Sequence, residues 1–151
     1  MARLAELARL AERWRDELAA RGLDEVPRGV GVVELVELDL RAAQALPYRS
    51  DPPGSADLVS LSLACVERDG GDCEERSAYV AARVTARAAL TRAGVVVELG
   101  WIPQEWAPLD HVTARVALPG RGWLWADATV PGAKLGEHPW TAARRLRRSE
   151  V

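Results

Sequence analysis

Cys73 sits in the run Gly71-Asp72-Cys73-Glu74-Glu75, which has the form of a helix start with a thiol in its first turn. A helix N-terminus carries unpaired N–H groups and a partial positive charge. A thiol placed there ionises more readily, and the thiolate is the nucleophilic form. His111 and Asp127 follow in the chain and complete a Cys-His-Asp order. In such a set the carboxylate fixes one ring nitrogen, sets the tautomer and raises the basicity of the other nitrogen, which takes the thiol proton. The expected outcome is a thiolate–imidazolium pair that attacks an amide or thioester carbonyl to give an acyl-enzyme, resolved by water or an amine. The Cys73 backbone N–H is a natural oxyanion donor, with Gln44, Tyr48 and Gln104 as candidates for a second.

These residues need elements to hold them. Residues 111–117 and 122–129 are predicted to form a hairpin around Leu118-Pro119-Gly120, pairing Ala117 with Arg121, Arg115 with Trp123, Thr113 with Trp125 and His111 with Asp127. Directly opposed residues share a face with Cβ atoms about 5 Å apart. The alternate row Val112, Ala114, Val116, Leu124, Ala126 and Ala128 is apolar, so it sets which face turns inward independently of any catalytic idea. A central helix is expected from Cys73 to about Arg92, stopped by Gly94, with Asp72 as N-cap and Glu75 at the third position, an Asp form of the capping box. Cys73, Ser77, Val80, Ala81, Val84 and Ala88 share one face of it, and Glu75, Arg83 and Arg87 point away.

Upstream, Leu4, Leu7, Leu10, Trp14 and Leu18 recur at helical spacing over residues 2–21, ended by Gly22. Residues 32–46 fit a strand face or a helix with Leu35, Leu38, Ala42 and Ala45 inward; the Ala-rich end before Pro47 favours helix. Residues 51–54 form a loop, and 56–67 a short helix with Leu58, Leu61, Ala64 and Cys65 on one side, Cys65 being assigned to packing. Residues 95–101 are β-branched and apolar and read as a strand. Residues 103–110 read as a loop, and a basic helix closes the chain after His138, itself placed in a loop. Helices first and a meander sheet after them give an α+β domain.

The chain has 151 residues, 48% hydrophobic and 28% charged, with a formal net charge of −2. One globular domain is expected over 1–151, with a 1–46 N-terminal helical segment, a 47–139 core and a 140–151 basic tail. The charge balance argues against nucleic acid or an anionic membrane as partner, and Arg144-Arg145-Leu146-Arg147-Arg148 reads as a solvated helix end. There is no signal-peptide pattern and no membrane-spanning run, so a reducing, cytoplasmic setting is expected. Cys65 and Cys73 make no disulfide framework. A zinc set from Cys65, Cys73, His111 and His138 lacks paired short spacing, so no metal or cofactor is expected. Six tryptophans and no phenylalanine carry the aromatic content. Trp123 and Trp125 share the His111 face, and Trp106, like Trp101, flanks the neighbouring loop; these are candidate walls of a substrate groove, with core packing as the competing role.

Gly-Asp-Cys-Glu-Glu at a helix start, His-Val-x-x-x-Val on a strand and Gly-Trp-x-x-x-Asp-Ala-Thr after it together resemble the layout of transglutaminase-like cysteine proteins, closest to compact bacterial and phage-associated members. The resemblance spans about residues 47–139, including Asp51-Pro52-Pro53-Gly54 and Val130-Pro131-Gly132, and leaves 1–46 outside. It implies a papain-like α+β core with the Cys helix packed on an antiparallel sheet. It implies Cys73 as nucleophile, His111 as base, Asp127 as orienting acid, and a peptide or protein substrate. Ala128 stands where many relatives have Pro, and an upstream oxyanion donor is not evident. Such proteins include peptidases, crosslinking enzymes and inactive scaffolds. The expected activity is therefore a cysteine peptidase or acyltransferase; a crosslinking transglutaminase and a binding or assembly module with a vestigial triad are the alternatives.

Overall fold

Small side chains along the middle of the chain allow one helix to be buried nearly all round. In the computed structural model, which describes residues 2–49, 61–102 and 111–149, that helix is α4 (Cys73–Ala86). Ala78, Val80 and Ala82 have no exposed surface, and Ala81 and Ala86 are also buried. Against it lie α1 (Ala2–Ala20), α2 (Val32–Gln44) and a sheet of β1 (Val96–Ile102), β2 (His111–Leu118) and β3 (Gly122–Ala126). The remaining helices are α3 (Leu63–Asp69), α5 (Ala88–Arg92) and α6 (Pro139–Ser149). Among the described residues the sheet has three antiparallel strands in the order β1-β2-β3, and the architecture is α+β. No described helix is long and apolar enough to cross a membrane.

The core is one cluster in which α1 contributes Leu7, Leu10, Trp14 and Leu18. Each such side chain is worth about 1.5–3 kcal/mol on burial, so the segment outside the family resemblance is part of the packing that holds α4. In α2 the buried positions are Leu35, Val36, Asp39, Leu40 and Ala43, a helical period. The buried stripe is rotated from the expected one, leaving Leu38 exposed. In α3 the buried residues are Leu63 and Val66, while Ala64 is exposed and Cys65 half-exposed, so the expected packing side is not the one used. Residues 56–60 lie outside the described residues, as does the loop at 51–54.

The expected single helix from Cys73 to Arg92 is broken at Arg87, whose φ/ψ of −83°/103° is extended. The cause lies in α2. Asp39 is fully buried, and its carboxylate accepts from Arg87 Nε (2.8 Å) and Nη2 (2.9 Å) and from Arg83 Nε (3.0 Å). Arg87 also donates to Leu23 O at 2.9 Å, and the amide of Ala88, at the start of α5, donates to Asp24 Oδ1 at 2.5 Å. The backbone turns out of the helix where its side chain turns into the core. Arg87 and Glu75 are both buried rather than on a solvent face, as periodicity alone would place them.

The hairpin differs from its expected register by two residues. Leu118 pairs with Gly122, Ala117 with Trp123, Arg115 with Trp125 and Ala114 with Ala126, so the turn is Pro119-Gly120-Arg121. A slip of two keeps every side chain on its face. Val112, Ala114 and Val116 pack inward against α4, as the apolar row requires, and His111, Thr113 and Arg115 take the other face. β3 stops at Ala126, and the chain leaves the ladder at Asp127.

Asp39→Ala strands two arginines in a low-dielectric environment. It is expected to cost about 3–5 kcal/mol of unfolding free energy in urea titrations; a loss under about 1 kcal/mol would show the cluster to be energetically idle.

Candidate functional site

The N-terminus of α4 is built by two glycines and a capping box. Asp72 Oδ1 accepts from Glu74 N at 2.9 Å, and the Glu75 carboxylate reaches back to Asp72 N at 3.3 Å. The segment before α3 runs alongside: Gly71 N donates to Pro47 O (3.1 Å) and Arg49 N to Gly71 O (3.2 Å). That approach excludes a side chain at Gly70, where φ is +83° and a Cβ would fall 1.8 Å from Pro47 O. At Gly71 a Cβ would fall 2.6 Å from the Glu75 Cβ.

Cys73 is half-buried at this helix start. Burial pushes its thiol up to about 12, and the charges of Asp72, Glu74 and Asp127 act in the same direction; the Val112 backbone amide opposes them. Burial first, and the nearby carboxylates with it, hold the thiol toward its neutral form against the pull of the helix start. Its neighbours also locate it. The Val112 amide is one residue along β2 from His111, and Ser77, one turn into α4, donates to Val112 O at 3.1 Å.

His111 and Asp127 are brought together. Asp127 is fully buried and His111 6% exposed, with His111 Nε2 2.5 Å from Asp127 Oδ2. They meet diagonally rather than as an opposed pair. Asp127 follows Ala126, which pairs with Ala114, so it stands level with Thr113, whose Oγ1 donates to the same Oδ2 at 3.0 Å. The other oxygen, Oδ1, accepts from Thr129 N (3.0 Å) and Val130 N (2.9 Å). Burial alone would raise the Asp127 carboxyl. The His111 hydrogen bond and charge, the Val130 amide and Thr113 outweigh it, and the group lies below its ordinary value. An ionised carboxylate only accepts, so the His111 Nε2–H is the donor to Asp127, which in the neutral ring leaves Nδ1 as the acceptor nitrogen.

The outer side of His111 is covered from the C-terminal segment. The Trp140 ring lies 5.3 Å from the His111 ring, centroid to centroid, and His138 stacks edge-on against Trp125 at 5.2 Å. His138, expected in a loop, accepts from Trp140 N through Nδ1 at 3.2 Å and so caps α6. Arg144, Arg145, Arg147 and Arg148 are exposed on that helix. Trp125 is half-buried. Trp123 is 45% exposed beneath the Arg115 guanidinium, paired with Ala117 at the hairpin end, about 20 Å along β2 from His111. Trp106 and Gln104 lie outside the described residues. Of the other oxyanion candidates, Gln44 is committed elsewhere: its Nε2 donates to Asp127 O (3.0 Å) and Ala133 O (2.8 Å). Tyr48 is largely exposed, with its ring under Arg76. Among the described residues no group of three or more His, Cys, Asp or Glu side chains could hold a metal ion.

Sequence reasoning missed Thr113, Trp140 and Arg76. Thr113 was legible as the residue two places after His111 on the same face. Arg76 was masked by its setting in Glu74-Glu75-Arg76, which looks like a solvated charge run. The described residues thus combine, in an α+β fold, a capped helix-start cysteine hydrogen-bonded by the Val112 amide next to His111 with a buried histidine–aspartate pair. Comparison with protein-family models, curated sequences and solved structures finds no match for this chain.

Two outcomes are expected. Iodoacetamide modification of Cys73 is expected to quicken as pH rises toward its raised midpoint; Glu74→Gln removes a negative charge and moves that profile to lower pH, which adduct mapping reads directly. Asp127 is held low in the folded state, so its contribution to stability is complete above about pH 5 and is lost as pH falls through the folded pKa. Urea titrations should show unfolding free energy falling more steeply on the acid side in the parent than in Asp127→Asn.

Proposed function

We propose that the chain is a thiol-dependent hydrolase or acyltransferase of amide bonds, a transglutaminase-like cysteine peptidase on a papain-like core, acting through Cys73, His111 and Asp127. The observation that carries this reading is the buried His111–Asp127 pair at the start of the strand whose Val112 amide hydrogen-bonds the Cys73 thiol at a capped helix start.

A neutral resting thiol shapes the mechanism. His111 Nδ1 takes the Cys73 proton as the sulfur attacks the carbonyl carbon, so charge separation accompanies bond formation. Asp127 stabilises the imidazolium that results. The tetrahedral oxyanion accepts from the Cys73 N–H, which as a first-turn amide has no intrahelical acceptor. Collapse breaks the C–N bond, and the imidazolium gives its proton to the leaving amine. Water, activated by the same nitrogen, then attacks the thioester and releases the acid. An amine in place of water gives transfer.

A small activated ester, p-nitrophenyl acetate, separates base-assisted attack from intrinsic thiolate reactivity. At pH 7.5 Cys73 should be acetylated faster than Cys65. His111→Ala should remove that advantage by about 100-fold or more, the usual scale of general-base assistance. Equal acetylation of both cysteines, or a rate indifferent to His111→Ala, would sink the catalytic reading. It would favour a second one, a binding or assembly module with a vestigial triad, for which the raised Cys73 thiol is the supporting observation.

A further inference from the structure

Arg76 lies one turn into α4 from Cys73 and is 4% exposed. Its guanidinium has no carboxylate partner in hydrogen-bond reach among the described residues; its acceptors are backbone carbonyls from three separate segments. Nε donates to Gly71 O at 3.0 Å and Nη1 to Ala128 O at 3.0 Å and Gln44 O at 3.4 Å, while Nη2 donates to Leu46 O. Gly71 precedes the Asp72-Cys73 helix start, and Ala128 follows Asp127. Gln44 and Leu46 are at the C-terminal end of α2, where orphan carbonyls and the negative end of the helix dipole favour a cation. The Gln44 side chain closes the ring by holding Asp127 O.

We infer that Arg76 is the positioning residue of this site: one buried cation fixes the backbone beside both the thiol and the acid and supplies a permanent positive charge behind them. The inference rests on the reading that Cys73, His111 and Asp127 act together. A guanidinium suits the task because its donors lie in a rigid planar fork, which an ammonium cannot reproduce. Burial disfavours the charged form of Arg76, and the groups facing it that favour that form are Tyr48, Asp127 and Asp72. The site around Cys73 is otherwise acidic, with Asp72, Glu74 and Asp127 all acting against the thiolate. The cation offsets that field on the side where the attack step builds negative charge on sulfur and then oxygen. A residue serving structure alone would be felt in stability and nowhere else.

The test is the NMR titration midpoint of the His111 ring in the parent, Arg76→Lys and Arg76→Met. A unit charge within about 10 Å, at an effective dielectric near 20, moves a midpoint by about one pH unit. Arg76→Met, which removes the charge, should raise the His111 midpoint by about that much. Arg76→Lys, which keeps the charge and loses the fork, should leave it within about 0.3. Equal midpoints in all three proteins would overturn the role. A measurement on the unaltered protein stands if Arg76→Met does not fold: separately resolved Nη–H resonances for Arg76 are expected of a guanidinium locked by its carbonyls, and one averaged signal would overturn it. Neither readout needs turnover. Failed acetylation with a His111 midpoint moved only by Arg76→Met would remove the reaction and keep the positioning role; active protein with an unmoved midpoint would do the reverse.

Discussion

A carboxylate with no exposed surface organises this molecule. Asp127 has four hydrogen bonds to its two oxygens, from an imidazole, a hydroxyl and two backbone amides. An ionised carboxylate taken out of water is tolerated only when its lone pairs are met this fully. Satisfying it dictates much of the local architecture. β3 must end one residue earlier, the next three residues must curl so that two amides face back, and the start of β2 must present a histidine and a threonine on the same face. The imidazole orientation is thus a by-product of keeping one negative charge content in the interior.

The second constraint is the convergence of chain segments far apart in sequence. The end of α2, the Gly-Gly approach to α4 and the turn after β3 meet with carbonyls pointing inward, and side-chain donors answer several of them. Arg76 donates to all three segments, and Gln44, itself at the end of α2, donates to two carbonyls after β3. A parallel logic operates at the far end of α4, where Asp39 gathers two arginines and the helix is forced to break. Both clusters show α4 as an axle whose two ends are fastened by polar groups, while its middle is packed mainly through small apolar side chains.

How much of this was legible follows from what each signal measures. The cap of α4 was plain because Asp72 and Glu75 satisfy amides within their own turn, a purely local interaction. The shared face of His111 and Asp127 was legible because the apolar row on the opposite face fixes parity, but register was not, because a slip of two leaves parity unchanged and Pro119 and Arg121 suit a turn as well as Leu118 and Gly120 do. The break at Arg87 and the burial of Arg76 were illegible for one reason: each guanidinium is buried on account of acceptors distant in sequence, which periodicity reads as solvent. The burial that raises the Cys73 thiol was not legible, because it comes from packing between distant segments, whereas the helix start is a local signal.

The amide of Gln44 has a consequence for the lifetime of the protein. Its nitrogen spends its hydrogens on two carbonyl oxygens, 3.0 and 2.8 Å away, one of them belonging to Asp127. Deamidation would exchange that donor for an oxygen that can only accept, set against two acceptors in a partly buried place. A change of one mass unit, invisible in the shape of the side chain, would turn a clasp into a repulsion, making chemical ageing at this glutamine a route by which the whole corner comes undone.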